Sequence, residues 1–195
     1  MASVIEQTTG EVSGSNIIIV QAVESTVIVN RANLTLIPPA NRAPRKELTV
    51  IDLLNPYMRA IEVVGRERDA ESLWKWLHSS KPIAIRTLTG RAGAGKTRAA
   101  IELIARLNIE EPGKWWAGFV RGDELRRFAG NQSLAEWNWA RPTLVVVDYA
   151  ASLTEPLRKW LRDLADNANR ATNRPLRLLL LEREAAANAG WMDFL

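Results

Sequence analysis

Hydrophobic residues fall along the chain in two rhythms. Short, almost unbroken aliphatic runs occupy positions 83–88, 144–147 and 176–181, and a mixed apolar run covers 115–120. Runs of this length, bounded by turn residues, predict strands buried on both faces. Between them the apolar residues recur at helical spacing. Leu73, Trp74 and Leu77 share one face of a helix predicted over 67–78. A second helix is predicted over 97–107 and a short one over 123–129. Leu157, Trp160, Leu161 and Leu164 form the stripe of a helix over 155–167. Strands alternating with helices predict an α/β fold, a three-layer arrangement around a mostly parallel sheet.

The first forty residues follow a different rhythm. They carry few charges and two Ile/Val-rich runs, 16–20 and 26–29, which predict β-strands joined by a loose connection. The stretch 36–44, with Pro38, Pro39 and Pro44, reads as a stiff linker. Positions 48–54 are helical or irregular and stop near Pro56. The expected organisation is an N-terminal β-rich segment over 1–40, a linker over 41–60 and an α/β core over 61–195.

The junction between the 83–88 run and the helix that follows carries the chemistry. Gly90-Arg91-Ala92-Gly93-Ala94-Gly95-Lys96-Thr97 matches G-x-x-x-x-G-K-[ST] in full. A strand, a glycine loop and a helix start let successive backbone N–H groups surround a phosphate. In that pattern Lys96 reaches the β- and γ-phosphates and the Thr97 hydroxyl holds Mg²⁺. Gly90 to Arg98 are therefore the cofactor-side candidates, with ATP or ADP as the ligand. The 143–148 stretch is an aliphatic strand closed by Asp148, the second residue expected to hold Mg²⁺. Mg²⁺ keeps several waters, so one hydroxyl and one carboxylate suffice. The other reading of Asp148 is a cap on the following turn. The guanine-reading Asn-Lys-x-Asp pattern does not occur, which favours ATP over GTP.

Composition narrows the alternatives. With no cysteine and one histidine, thiolate catalysis and Cys- or His-based metal sites are excluded. No apolar run is long enough to span a bilayer as a helix, and no basic-then-apolar leader opens the chain; the expected location is cytoplasmic. The net charge of +4 comes from 26 Lys/Arg against 22 Asp/Glu. The arginines are interspersed with acids, so a solvated surface is expected, with nucleic acid allowed but not indicated. The tryptophans, eight in all, come partly in pairs, Trp74/Trp76, Trp115/Trp116 and Trp137/Trp139, and read as packing residues.

Two further segments resemble one branch of these NTPases. Val63-Val64-Gly65-Arg66-Glu67, followed by a helix ending Leu73-Trp74-Lys75-Trp76-Leu77, resembles the entry segment of the STAND ATPases, signalling relatives of AAA+ proteins. The resemblance implies that Val64 and Gly65 lie beside the adenine. Arg177 to Arg183 resembles the family's sensor 1 strand, which implies that Arg183 lies near the γ-phosphate and, with Lys96 and Asp148, forms the catalytic set. It further implies a sheet of order 5-1-4-3-2 and a nucleotide-dependent signalling switch, with prokaryotic defence or regulation as its setting. Many members carry a second acid after the Walker B aspartate. Here Tyr149 stands there, so slow or absent hydrolysis is expected unless Glu182 or another chain's acid substitutes. The family's fifth strand, lid and winged helix follow sensor 1, whereas this sequence ends at Leu195. A fragment of a larger protein is the expectation; otherwise the N-terminal β segment or another chain covers the first strand's edge. Two other readings stay open. One is a stand-alone AAA+/RecA-like ATPase working in an oligomer, with Arg121, Arg126 or Arg141 as an arginine finger. The other is an inert nucleotide- or nucleic-acid-binding module.

Overall fold

The aliphatic runs pair side by side as one parallel sheet. In the computed structural model, which describes residues 17–22, 25–30, 32–39, 49, 55–59, 65–132, 134–166 and 174–183, six strands occur. β1 (Ile17–Ala22) and β2 (Ser25–Asn30) form an antiparallel pair whose register runs from Ile17↔Asn30 to Ala22↔Ser25. β3 (Ile83–Thr89), β4 (Trp116–Phe119), β5 (Thr143–Asp148) and β6 (Leu176–Glu182) form the four-stranded sheet, in the order β3-β6-β5-β4. This is the 1-4-3-2 order, with no fifth strand among the described residues.

Helices cover both faces. α1 (Glu67–Leu77) and α2 (Lys96–Glu110) pack on one side, where Leu73, Leu77, Ile104 and Leu107 meet Leu144, Val146, Leu179 and Leu181. α3 (Gly122–Ala129) and α4 (Thr154–Asp166) pack on the other, where Leu125, Phe128, Leu157 and Trp160 meet Val145, Val147, Leu178 and Leu180. The alternation along β5 and β6 thus feeds two cores, which is why these central strands read as continuous aliphatic runs. Phe128, Trp137, Trp139 and Trp160 form one aromatic cluster, with ring centroids 5.2 Å apart for Phe128–Trp137, Phe128–Trp160 and Trp137–Trp139. These tryptophans serve packing.

One position corrects the aliphatic reading of 176–181. Arg177 interrupts the run, and its side chain is fully buried. Its guanidinium donates to the carbonyls of Leu77 (2.7 Å), Ser79 (2.6 Å) and Leu176 (3.0 Å). The last carbonyls of a helix lack intrahelical donors, and Arg177 supplies them at the end of α1. Burial pushes its pKa down from the ordinary arginine value.

The two sheet edges differ. On β4, Ile37 and Phe119 exchange backbone hydrogen bonds at 2.8 Å, and Ala32, Leu34 and Leu36 enter the core on the α3–α4 side. Gly118 permits this approach: a Cβ there would lie 2.8 Å from the Ile37 carbonyl oxygen. The structure therefore places Leu36 and Ile37 against the sheet. The outer edge of β3, at the opposite side, pairs with no strand among the described residues, and Ile85 is 45% exposed there. The described part of the N-terminal segment covers the β4 edge, not this one. Of positions 48–54, all but Thr49 lie outside the described residues.

Candidate anion-binding site at the start of helix α2

Parallel strands place all their C-terminal ends on one rim, and the glycine loop sits there between β3 and α2. Gly93 (φ 75°) and Gly95 (φ 79°) adopt left-handed conformations that a side chain would strain. These two turns carry the chain round so that α2 starts at Lys96 with Gly95 as its cap. The Lys96 ammonium folds back over the loop and donates to the carbonyls of Gly90 (2.6 Å) and Arg91 (3.0 Å). Gly90 N donates to Arg183 O at 3.1 Å, which ties the loop to the end of β6.

The charge at this helix start is unlike that of its neighbours. Helix N-termini carry partial positive charge and favour acids in the first turn. α1 has Glu67 and Asp69 there, α3 has Asp123 and Glu124, and α4 has Glu155. α2 has no acid in its first turn, and Lys96 and Arg98 occupy it instead. Arg66 adds a third cation: a Cβ built on Gly95 would lie 3.7 Å from its Cζ. Cations at the positive end of a helix are unfavourable there and suit an anion; of the three, Arg98 also pairs with Glu102 (2.7 Å).

Opposite this cluster stands Asp148, at the end of β5. Thr97 Oγ1 donates to its Oδ2 at 2.9 Å, and Tyr149 N donates to its Oδ1 at 3.0 Å. The Asp148 carboxylate thus meets the loop threonine and also accepts from the backbone of the turn after it. A hydroxyl and a carboxylate side by side are hard oxygen donors that fit Mg²⁺ with water completing its shell. Among the described residues no group of three or more His, Cys, Asp or Glu stands ready to enclose a metal entirely. Tyr57, in the single turn Pro56–Met58, belongs to this neighbourhood. Burial raises its phenol pKa, and the charge of Asp148 raises it further.

A cleft of about 280 Å³ opens beside the loop between α1 and α2. Leu73, Ala99 and Leu103 contribute apolar surface, and Arg66, Arg98 and Glu102 contribute charge. Glu102 accepts from Arg98 (2.7 Å) and, through both oxygens, from Arg59 (3.0 and 2.5 Å). Burial alone would raise the Glu102 carboxyl, but the hydrogen bonds and charges of Arg59 and Arg98 hold it below the usual range.

The other sequence candidates are distributed as follows. Gly65 starts the turn into α1 with φ 77°, and its N–H donates to Glu67 Oε1 at 3.1 Å. Val64 lies outside the described residues. Arg183 is exposed at the end of β6, where its backbone carbonyl receives Gly90 N. Arg121 is paired with Asp123 after β4, Arg126 lies on α3, and Arg141 precedes β5 on the rim opposite the loop. Arg66, Glu102 and Tyr57 were not legible as site residues in the sequence. The signal for a charged site was nonetheless present in the acid-free start of α2.

No protein-family model matches the chain, and no curated protein matches it. Among solved structures, that of C. elegans PCH-2 is similar, with a TM-score of 0.42 and 19% identity over 71% of this chain and 43% of that one. This chain thus spans less than half of that chain's length. The fold class rests on the strand order, the registers and the two helical layers: an α/β module with a four-stranded parallel sheet in the order 1-4-3-2.

Proposed function

We propose that the chain binds ATP or ADP with Mg²⁺ and acts as a nucleotide-dependent switch of the STAND kind. One observation carries the reading: cations crowd the acid-free, positive end of α2 while the Thr97–Asp148 pair faces them. The loop amides and Lys96 receive the phosphates, and Thr97 and Asp148 hold Mg²⁺, which would neutralise phosphate charge. On binding, Lys96 exchanges its two carbonyl partners for phosphate oxygens. Arg66 and Arg98 line the α1–α2 cleft, which suits a base of the size of adenine, with Gly65 in the turn just before Arg66 and Arg183 toward the γ-phosphate.

The switch reading is supported by Tyr149, which occupies the position after Asp148 without offering a carboxylate. A nucleotide that favours one of two conformations needs no rapid turnover. Its signalling role follows from the resemblance of the Gly65-Arg66-Glu67 entry and the β6 end. The test is the nucleotide content and turnover of the purified protein. The switch reading expects retained nucleotide and hydrolysis slower than about one per minute, far below common enzyme rates. Turnover of several per second, abolished by Lys96→Ala, would replace it with the stand-alone ATPase.

A further inference from the structure

Resting on the nucleotide reading above, we infer that Glu182 supplies the carboxylate that receives the attacking water's proton. The sheet register carries the argument. The last pair of β5 with β6 is Asp148↔Leu181, so Glu182 stands one residue beyond the Asp148 level, where β5 has turned away at Tyr149 (φ 54°). On its other side Glu182 pairs with Thr89, the last residue before the phosphate loop. Neighbouring strands lie about 4.8 Å apart. Glu182 therefore stands on the catalytic rim between the loop and Asp148, beside the position where Tyr149 carries no acid.

The carboxylate is fixed there. Oε1 accepts from Arg183 N at 2.6 Å and Oε2 from Ala151 N at 2.9 Å. A carboxylate offers about four lone-pair positions, so each oxygen keeps one for water. Glu182 is partly exposed, hence reachable. The acid at the end of β5, Asp148, is committed to Thr97.

The step balances without another reactant. The water oxygen bonds to the γ-phosphorus as the bond from that phosphorus to the bridging oxygen breaks. The bond's electrons stay on the β-phosphate of ADP. The water proton passes to Glu182 and then to the released phosphate. A strand-end glutamate thus replaces an acid that the following turn lacks, at the cost of being tethered by two amides.

The test compares wild type, Glu182→Gln and Glu182→Asp for Mg-ATP affinity by calorimetry, single-turnover hydrolysis, and the nucleotide retained after purification. Glu182→Gln is expected to bind within about twofold of wild type, to lose at least about 100-fold in hydrolysis, and to retain ATP where wild type retains ADP. Glu182→Asp, which keeps the charge on a shorter arm, is expected to fall between. Unchanged hydrolysis in Glu182→Gln overturns the role, as does binding lost in parallel with hydrolysis in both variants, which marks a structural brace. A wild type that binds Mg-ATP but never hydrolyses it also overturns the role. A wild type that binds no nucleotide overturns the underlying nucleotide reading instead.

Discussion

Replacing Arg177 with methionine removes the only charged group in the buried part of β6, yet it should destabilise the protein. The guanidinium is fully buried and serves carbonyls of Leu77, Ser79, Leu176 and, at 3.4 Å, Pro82. Two of these bonds, to Leu77 and Ser79, close the C-terminal end of α1. A buried acceptor left without a donor costs about 1–3 kcal/mol. Against this, methionine removes a desolvated charge, and an apolar residue in place of a buried charge is sometimes neutral or stabilising. Carbonyls cannot be withdrawn by mutation, so their loss outweighs the gain, and the net effect is about 2–4 kcal/mol. At about 2–4 °C per kcal/mol for a chain of this size, the melting temperature falls by roughly 5–15 °C. Urea and thermal unfolding followed by tryptophan fluorescence measure it, since Trp74 and Trp76 lie on α1 itself. Arg177→Lys keeps the charge but not the fork, and should recover only part of the loss. A methionine variant as stable as wild type would mean that α1 ends securely without its arginine, and that these hydrogen bonds do not hold the helix end.

Two further outcomes follow from the packing and the charges. Gly118→Ala places a methyl against the Ile37 carbonyl, 2.8 Å away, and should destabilise by about 1–3 kcal/mol in a urea titration by prising the 32–39 segment off β4. Glu102→Gln removes a carboxylate whose pKa is lowered in the folded state. Such a group stabilises above its unfolded value of 4.5 and loses that contribution as pH falls through the lower folded value. Wild type should therefore exceed the glutamine variant by about 1 kcal/mol at pH 7, discounted for partial exposure, and the two should converge in unfolding titrations carried toward pH 3.

The strand-and-helix alternation was legible because it rests on local pattern: β5 reads as buried from Leu144 to Val147 alone. The phosphate loop was legible for the same reason, since its glycine spacing is local and glycines such as Gly93 and Gly95 tolerate the left-handed turns it needs. What stayed hidden depends on partners distant in sequence. Nothing near Arg177 announces that its acceptors are Leu77 and Ser79, although a charge inside an aliphatic strand signals that some partner exists. Gly118 looks like an ordinary strand glycine until Ile37 is laid across it. The placement of Glu182 one residue beyond the Asp148 level is a property of register, which the sequence names only through the resemblance of its strand order. The cleft between α1 and α2 needs both helices in place before Arg66 and Glu102 face one another across the start of the loop helix.

Mg-ATP binding by titration calorimetry, on wild type and on Lys96→Ala, decides whether the loop holds a nucleotide. One site per chain is expected, with affinity that weakens at least tenfold when Mg²⁺ is withheld, and a further loss of at least tenfold in Lys96→Ala. Both follow from the acid-free start of α2 and from the Thr97–Asp148 pair. Absence of binding in a folded wild type, or equal binding with and without Lys96, would contradict the nucleotide reading.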